Sequence, residues 1–197
     1  MERTGPGLRE LKKERTRRSL LLTAYRLFEE KGYEATTISE IARVAEVSQG
    51  TFFNYFGTKE DLIFGDRSDI AEAGLEALRR RDPRDSPADA VARAFEAMLA
   101  AERRSDPDNL EQDRARLIVT VPALYATSLS RLFDIQNDMA ARLQTVFPDE
   151  LDEMKAAILV GAFAGAGMSS LRAAAAAGTP LEKAVRAAID EVSRRFR

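Results

Sequence analysis

Residues 47–63 read VSQGTFFNYFGTKEDLI. Phe52, Phe53, Tyr55 and Phe56 fill four of five consecutive positions, in a chain that has only 10 Phe, 4 Tyr and no Trp. Small polar residues lead into the cluster and Lys59 follows it. Ser48 has the chemistry of a helix N-cap, which places a short helix over about 49–56. On it Phe52 and Phe56 stand four apart and share a face, so they are expected to pack against Ile41, Leu21 and Phe28. One short helix cannot bury four faces, so Phe53 and Tyr55 fall to either side of the packed stripe.

Upstream, Leu21, Ala24, Leu27 and Phe28 recur at helical spacing and predict a first helix over 10–31, closed by Gly32. Thr37-Ile38-Ser39-Glu40 reads as a capping box, with Thr37 capping and Glu40 reaching back, and opens a second helix over 38–45 that buries Ile38, Ile41 and Ala42. Glu46-Val47 is the turn. Two short helices joined this tightly are the skeleton of a helix-turn-helix, whose second helix lies in the DNA major groove. The leading residues Ser48, Gln49, Gly50 and Thr51 suit that task. Gln49 can bond bidentately to adenine, Gly50 allows close backbone approach, and Thr51 reaches a phosphate or a base. The Tyr55 hydroxyl and Asn54 are further candidates for phosphate or base. Lys59 sits beside the free N–H groups of a following helix capped by Thr58, a site suited to phosphate.

Beyond residue 63 helices are predicted over 60–80, 88–104, 110–118, 123–146, 149–177 and 180–196, with Pro148 and Pro180 near the first turn of the last two. The break at 82–87 is rich in Pro and Asp. No stretch alternates with period two for long enough to make a strand, so the chain is expected to be all-α.

Composition narrows the function. The 197 residues are 45% hydrophobic and 31% charged, the balance of an ordinary globular chain. There is no Cys and no His. That removes disulfides, Ser-His-Asp and Cys-His catalysis and Cys/His metal sites, so no cofactor or metal is expected. An enzyme would have to work with carboxylates alone, such as Asp149/Glu150 and Asp152/Glu153, and these read as acids complementing a helix dipole. The apolar run from Ala156 to Met168 is shorter than a membrane span needs, which predicts a buried helix and no membrane partner. With a polar, charged N-terminus the expected location is cytoplasmic. The net charge is -2, yet residues 1–18 hold seven bases against three acids. A basic arm on an acidic body points to a polyanion at one end.

The run Ala24–Phe28, Gly32-Tyr33, Thr36–Ala42 and Val47–Leu62 resembles the N-terminal domain of TetR-family transcriptional regulators, over residues 13–66. The resemblance implies a helical homodimer of about nine helices per chain. It implies a basic flexible arm at 1–12, a DNA-binding domain at 13–66 and a dimerisation and ligand-binding domain at 67–197. Carried over by position, Thr37, Ser39, Gln49, Gly50, Thr51, Phe53, Asn54, Tyr55 and Lys59 touch double-stranded DNA. The family usually has tyrosine at position 53. The phenylalanine here loses one phosphate hydrogen bond and keeps an apolar contact to a thymine methyl or a sugar. The implied function is a repressor released from a palindromic operator by a small, largely apolar or amphiphilic effector. A DNA-binding regulator without such an effector shares every N-terminal feature.

In the second domain, AAILVGAFAGAGMSSL at 156–171 carries Gly161, Gly165 and Gly167. Glycine inside a helix costs about 1 kcal/mol against alanine, so a close helix–helix approach is expected there. Ala157, Gly161, Gly165 and Met168 form one stripe, and Val185, Ile189 and Val192 lie on the last helix. In TetR-like proteins the last two helices pair with their mates, so these seven are the expected dimer interface. For a ligand pocket the candidates are Phe95, Met98, Leu99, Leu117, Val121, Leu124, Tyr125, Leu129, Phe133, Ile158 and Phe163, apolar residues of the middle helices. Arg114 and Arg116 stand before an apolar run, where they meet either solvent or an anionic ligand group.

Overall fold

The computed structural model of the chain describes residues 7–65, 67–106, 108 and 110–196. Among them are ten helices and no strand: α1 Leu8–Lys31, α2 Ile38–Val44, α3 Gln49–Phe53, α4 Asp61–Phe64, α5 Ser68–Arg79, α6 Pro87–Ser105, α7 Glu111–Thr120, α8 Pro122–Val146, α9 Glu153–Ala177 and α10 Leu181–Phe196. The fold is all-α, in two compact units, Met1–Asp66 and Arg67–Arg197.

In the first unit α1 turns Leu20, Ala24, Leu27 and Phe28 inward, the spacing of one helical face. The expected anchor Leu21 is half-buried, and its neighbour Leu20 takes the core position. Helix α1 starts at Leu8, so it runs into the segment 1–12 expected to be a flexible arm; residues 1–6 of that segment lie outside the described residues. It ends at Gly32, whose φ of +87° no side chain readily adopts and whose N–H donates to the Phe28 carbonyl at 3.0 Å. Thr37 caps α2 by accepting the Glu40 N–H at 3.2 Å. The reciprocal half of the expected capping box is replaced, because the Glu40 carboxylate pairs with Lys31 instead.

Two helices are shorter than their sequence pattern suggests. Helix α3 stops at Phe53, because the Asn54 N–H is shared between the Gly50 and Thr51 carbonyls, both at 3.2 Å, and the Tyr55 N–H then bonds to Phe52 O at 2.9 Å. These three-residue bonds tighten the last turn and end the helix before Gly57. The expected helix over 60–80 is two helices: Gly65, at φ +50°, ends α4, and α5 begins at Ser68.

The core of the second unit joins Leu78 of α5, Val91 and Ala94 of α6, Met139 and Leu143 of α8, Leu159, Val160 and Phe163 of α9 and Ile189 of α10, with Phe147 from the α8–α9 link. Helices α5 and α6 approach closely at Gly74, where an added Cβ would stand 2.8 Å from Met98 Cγ. Helix α9 begins at Glu153 rather than 149. Asp152 caps it by accepting the Lys155 N–H at 2.8 Å, and this cap outcompetes the start expected behind Pro148. Asp149 and Glu150 therefore lie in a turn, outside the helix.

Candidate nucleic-acid interface

The inner side of the α2–α3 pair is fixed by apolar contact. Ile41, Ala42, Phe52 and Phe56 are buried, and the rings of Phe52 and Phe56 lie 5.6 Å apart. The Arg17 guanidinium stands 5.4 Å from the centre of the Phe56 ring. Between the helices Glu46 takes a left-handed φ of +58°, the tight corner of the turn, and the sequence reading missed this. Its signal, a non-glycine where the turn demands a positive φ, is invisible before the backbone is known.

With that side packed, the outer side is determined. Gln49, Gly50, Phe53 and Asn54 are exposed, and Thr51 and Tyr55 are half-buried. Phe53 keeps 52% of its surface exposed while its ring meets Phe52 edge-on at 5.6 Å. Thr37 and Ser39 are exposed at the start of α2. Arg43 is exposed four residues beyond Ser39, hence on the same face, and a search for that spacing would have found it. Ser48 accepts the Thr51 N–H at 3.0 Å, and its hydroxyl lies 2.9 Å from that of Thr51. Thr37 thus spends acceptor capacity on its cap and keeps a hydroxyl proton, while Ser48 and Thr51 use one hydroxyl proton between them and keep the other for a partner outside the chain. At Gly50 an added Cβ would meet only Ser48 Oγ, at 3.7 Å, so the chain's own packing does not require glycine there.

Lys59 departs from expectation. Its ammonium donates to the carbonyls of Tyr33 at 2.7 Å and Thr36 at 2.9 Å, and lies 4.2 Å from the centre of the Tyr33 ring. Two of its three protons are committed, so Lys59 clamps the α1–α2 link and has one N–H left for a phosphate. Burial lowers its pKa, against a smaller opposing pull from Glu34. The Tyr33 hydroxyl is pushed up, first by burial and then by Glu60 and Glu34.

In the second unit most residues expected to line a pocket pack as core. Phe163 and Leu124 are fully buried and Leu117 is buried, while Phe95 stacks on Phe163 at 5.9 Å and packs against the core with Met98 and Leu99. Val121, Tyr125 and Leu129 are half-buried. Phe133 and Ile158 stand apart from the core, 60% and 57% exposed. A cavity of about 560 Å³ is lined instead by Asp85, Asp89, Ala92, Arg93, Glu96, Ala187, Asp190, Ser193 and Arg194. Another of about 340 Å³ is lined by Leu75, Asp138, Ala141, Arg142 and Thr145.

Arg114 is buried and meets neither solvent nor an open ligand site. Its Nη1 donates to Glu102 at 2.8 Å and stands 3.7 Å from Asp106, while Glu102 also pairs with Arg67. Beside this network Glu111 has a raised pKa, through burial first and then Asp106 and Glu182. Arg116 is exposed and 3.4 Å from Asp113.

The α9 stripe stays open. Ala157 and Gly165 are exposed, and Gly161 and Met168 are half-buried. A Cβ added at Gly165 or Gly167 would meet nothing within 4 Å, and at Gly161 only Gln136 Oε1 at 3.8 Å. The close approach expected of these glycines therefore does not occur within the chain. On α10 the expectation is corrected: Ile189 is buried in the chain's own core, with Val185 and Val192 packed against it. The helix spends its apolar face internally. Helix α9 is also not the buried helix expected. By length and composition it is apolar enough to cross a membrane, with 28% of its most apolar window buried. Among the described residues no group of three or more Asp or Glu is placed to hold a metal ion.

Known proteins share this arrangement. The family description of bacterial regulatory proteins of the tetR family matches residues 20–64, and that of the MftR C-terminal domain matches residues 85–197. The HTH-type transcriptional regulator TcmR of Streptomyces glaucescens is 37% identical over 140 residues, 69% of this chain and 62% of TcmR. The regulator HbdR of Aromatoleum sp. (strain CIB) is 47% identical over 51 residues, 26% of this chain and 22% of HbdR. The chain thus spans less than two thirds of either relative. Among solved structures, a SmeT–triclosan complex has a TM-score of 0.64 at 16% identity, covering 90% of this chain and 89% of that one. NalD, the secondary repressor of the MexAB-OprM multidrug efflux pump in Pseudomonas aeruginosa, has a TM-score of 0.60 at 17% identity, covering 92% and 95%. At such identities the likeness shows the fold. The two family matches together take in the helix-turn-helix and most of the second unit, and with them the chain belongs to the TetR family of bacterial regulatory proteins.

Proposed function

We propose that this chain is a sequence-reading repressor of transcription that binds a palindromic operator as a homodimer. The observation that carries this reading is the division of α3: Phe52 is wholly buried, while Gln49, Gly50, Phe53 and Asn54 are presented outward together. Gln49 reads a base edge, Phe53 touches a thymine methyl or sugar, and Thr37, Ser39, Ser48, Thr51, Asn54 and Tyr55 hold the backbone or adjacent bases. Arg43 adds a phosphate contact from the face of Ser39. The dimer forms through the open stripe of α9, where small residues allow a second helix to come close. In it two recognition helices stand about 34–36 Å apart, one turn of DNA. That stripe meets a second copy rather than lipid, and the protein acts in the cytoplasm, where its DNA is.

Release follows binding of a small apolar or amphiphilic effector in the second unit, which favours a conformation whose half-site spacing no longer fits. The half-buried Met98, Leu99, Tyr125 and Leu129 support an effector site bordering the core. The SmeT structure, similar in fold, is a complex with triclosan.

The test is selection of bound fragments from sheared genomic DNA by the purified protein at about 0.15 M salt, where non-specific contacts are partly suppressed. One recovered palindromic motif supports a sequence-reading dimer, and apolar compounds are then titrated against that complex. Recovery of nothing above background overturns the reading.

A further inference from the structure

We propose that the first turns of α1 form a second DNA contact, a basic stripe that holds backbone phosphates beside the groove α3 enters. The inference rests on the reading of the chain as a DNA-binding protein and adds a surface to it. In its later turns α1 carries Leu20, Ala24 and Leu27 along one line, and all three are buried. Continued toward the N-terminus at helical spacing, that line is Arg17, Lys13 and Arg9. Its character changes from apolar to basic where the helix runs past the core. Residues 8–15 are all exposed, and Arg17 is half-buried.

Arg17 fixes where this line begins. Its guanidinium stands 5.4 Å from the centre of the Phe56 ring, and its Nη2 lies 3.9 Å from where a Cβ at Gly65 would stand. Phe56 is three residues beyond the end of α3. The basic stripe therefore starts next to the recognition helix and runs on from its surface. Lys13 and Arg9 carry it about 6 and 12 Å further along the helix axis.

The charge of these turns is unmatched inside the chain. Among the described residues the side chains of Arg9, Lys12, Lys13 and Arg15 make no ion pair or hydrogen bond. Later in the same helix Arg26 pairs with Glu30 and Lys31 with Glu40. Of the acids nearby, Glu10 is occupied, since its carboxylate accepts the Gly7 N–H at 3.0 Å. The whole chain has a net charge of -2, so the open cations are a local feature rather than a general surplus. Like charges four apart on a helix repel, and an anion alongside removes that repulsion. Duplex DNA presents a regular row of phosphates, which lysine and arginine neutralise with release of counterions. Cations spread over about 12 Å match such a row better than they match one small anion. Contacts of this kind position a protein without reading sequence.

The experiment is fluorescence anisotropy of the full chain on the selected operator and on a random duplex of equal length, each over a series of salt concentrations. Arg9→Gln and Lys13→Gln each flatten the slope of log affinity against log salt by about one unit and weaken binding about fivefold at about 0.15 M salt, equally on both duplexes. The double change flattens the slope by about two units. Lys183→Gln, which removes one exposed cation from α10, leaves the slope as it was. Both α1 positions are exposed, so circular dichroism shows the parent's helix content throughout. An unchanged slope in the double variant, or the same loss in Lys183→Gln, overturns the proposal. A double variant with an unchanged slope and altered sedimentation in the absence of DNA assigns the stripe to another protein surface and overturns it too. A parent chain that binds both duplexes equally is a different failure: it removes the sequence-reading function, while the slopes still decide on the stripe.

Discussion

The Lys59 ammonium stands 2.7 Å from the carbonyl oxygen of Tyr33 and 4.2 Å from the centre of the same residue's ring. One side chain from the turn before α4 thus holds the backbone and the aromatic ring of the α1–α2 link. Replacing Lys59 with Met removes both hydrogen bonds and leaves two carbonyls without their donor. The expected loss of folding stability is about 1–3 kcal/mol, read from urea unfolding of the full chain. The salt dependence of DNA binding should change by less than one unit of slope. An unchanged urea midpoint with a slope reduced by a full unit would place the ammonium at a phosphate instead.

Gln49 is exposed at the first position of α3 and has no contact that the fold needs. Gln49→Ala should cost about 1–3 kcal/mol on the selected operator and far less on random DNA. Fluorescence anisotropy on both duplexes measures this, and equal losses would remove Gln49 from base reading.

Glu46 holds a φ of +58° in the turn between α2 and α3. The left-handed region costs a non-glycine residue about 1–2 kcal/mol. Glycine avoids that cost and returns about 0.5–1 kcal/mol through greater freedom of the unfolded chain. Glu46→Gly should therefore raise stability by a net of about 0.5–1 kcal/mol, seen as a higher melting temperature. A lower one would show that the Glu46 side chain contributes to the fold.

Gly165 faces open space, with nothing within 4 Å of an added Cβ. Gly165→Arg should leave the helix content of the chain intact while shifting sedimentation from dimer to monomer and lowering operator affinity. A dimer that persists would move the interface away from the α9 stripe.

Glu111 has a raised pKa because burial, Asp106 and Glu182 all disfavour its charge. A raised folded-state value means that folding binds a proton here. The group's favourable contribution is full below its unfolded pKa and is lost as pH rises through the folded one. Glu111→Gln should accordingly be more stable than the parent chain at neutral pH, and the gap should close as pH falls toward the ordinary carboxylate range. Urea midpoints of both chains across that pH series test it. A gap that widens on acidification would contradict the sign.

The local pattern of the sequence determined a good deal by itself. Helical spacing at Ala24, Leu27 and Phe28, caps at Thr37 and Ser48, and stop signals at Gly32 and Gly178 are short-range features, decided by residues within a turn or two of each other. The inward turn of Phe52 and Phe56 followed from their separation of four, and the outward position of Phe53 from the limited face of a short helix. The opening stretch therefore displayed its outer surface before any coordinates.

What depends on distant residues was decided only in the tertiary structure. Lys59 finds its carbonyls 26 and 23 residues earlier in the chain, and no local rule indicates that they will converge. Glycine had two meanings that sequence cannot separate. Gly74 is where α5 and α6 come together, while Gly165 faces nothing in its own chain. Phe163 and Ile158 are equally apolar on the same helix, yet one is fully buried and the other 57% exposed. Hydrophobicity records only that a side chain prefers to leave water; which side chains do so is decided by the helices packed around them.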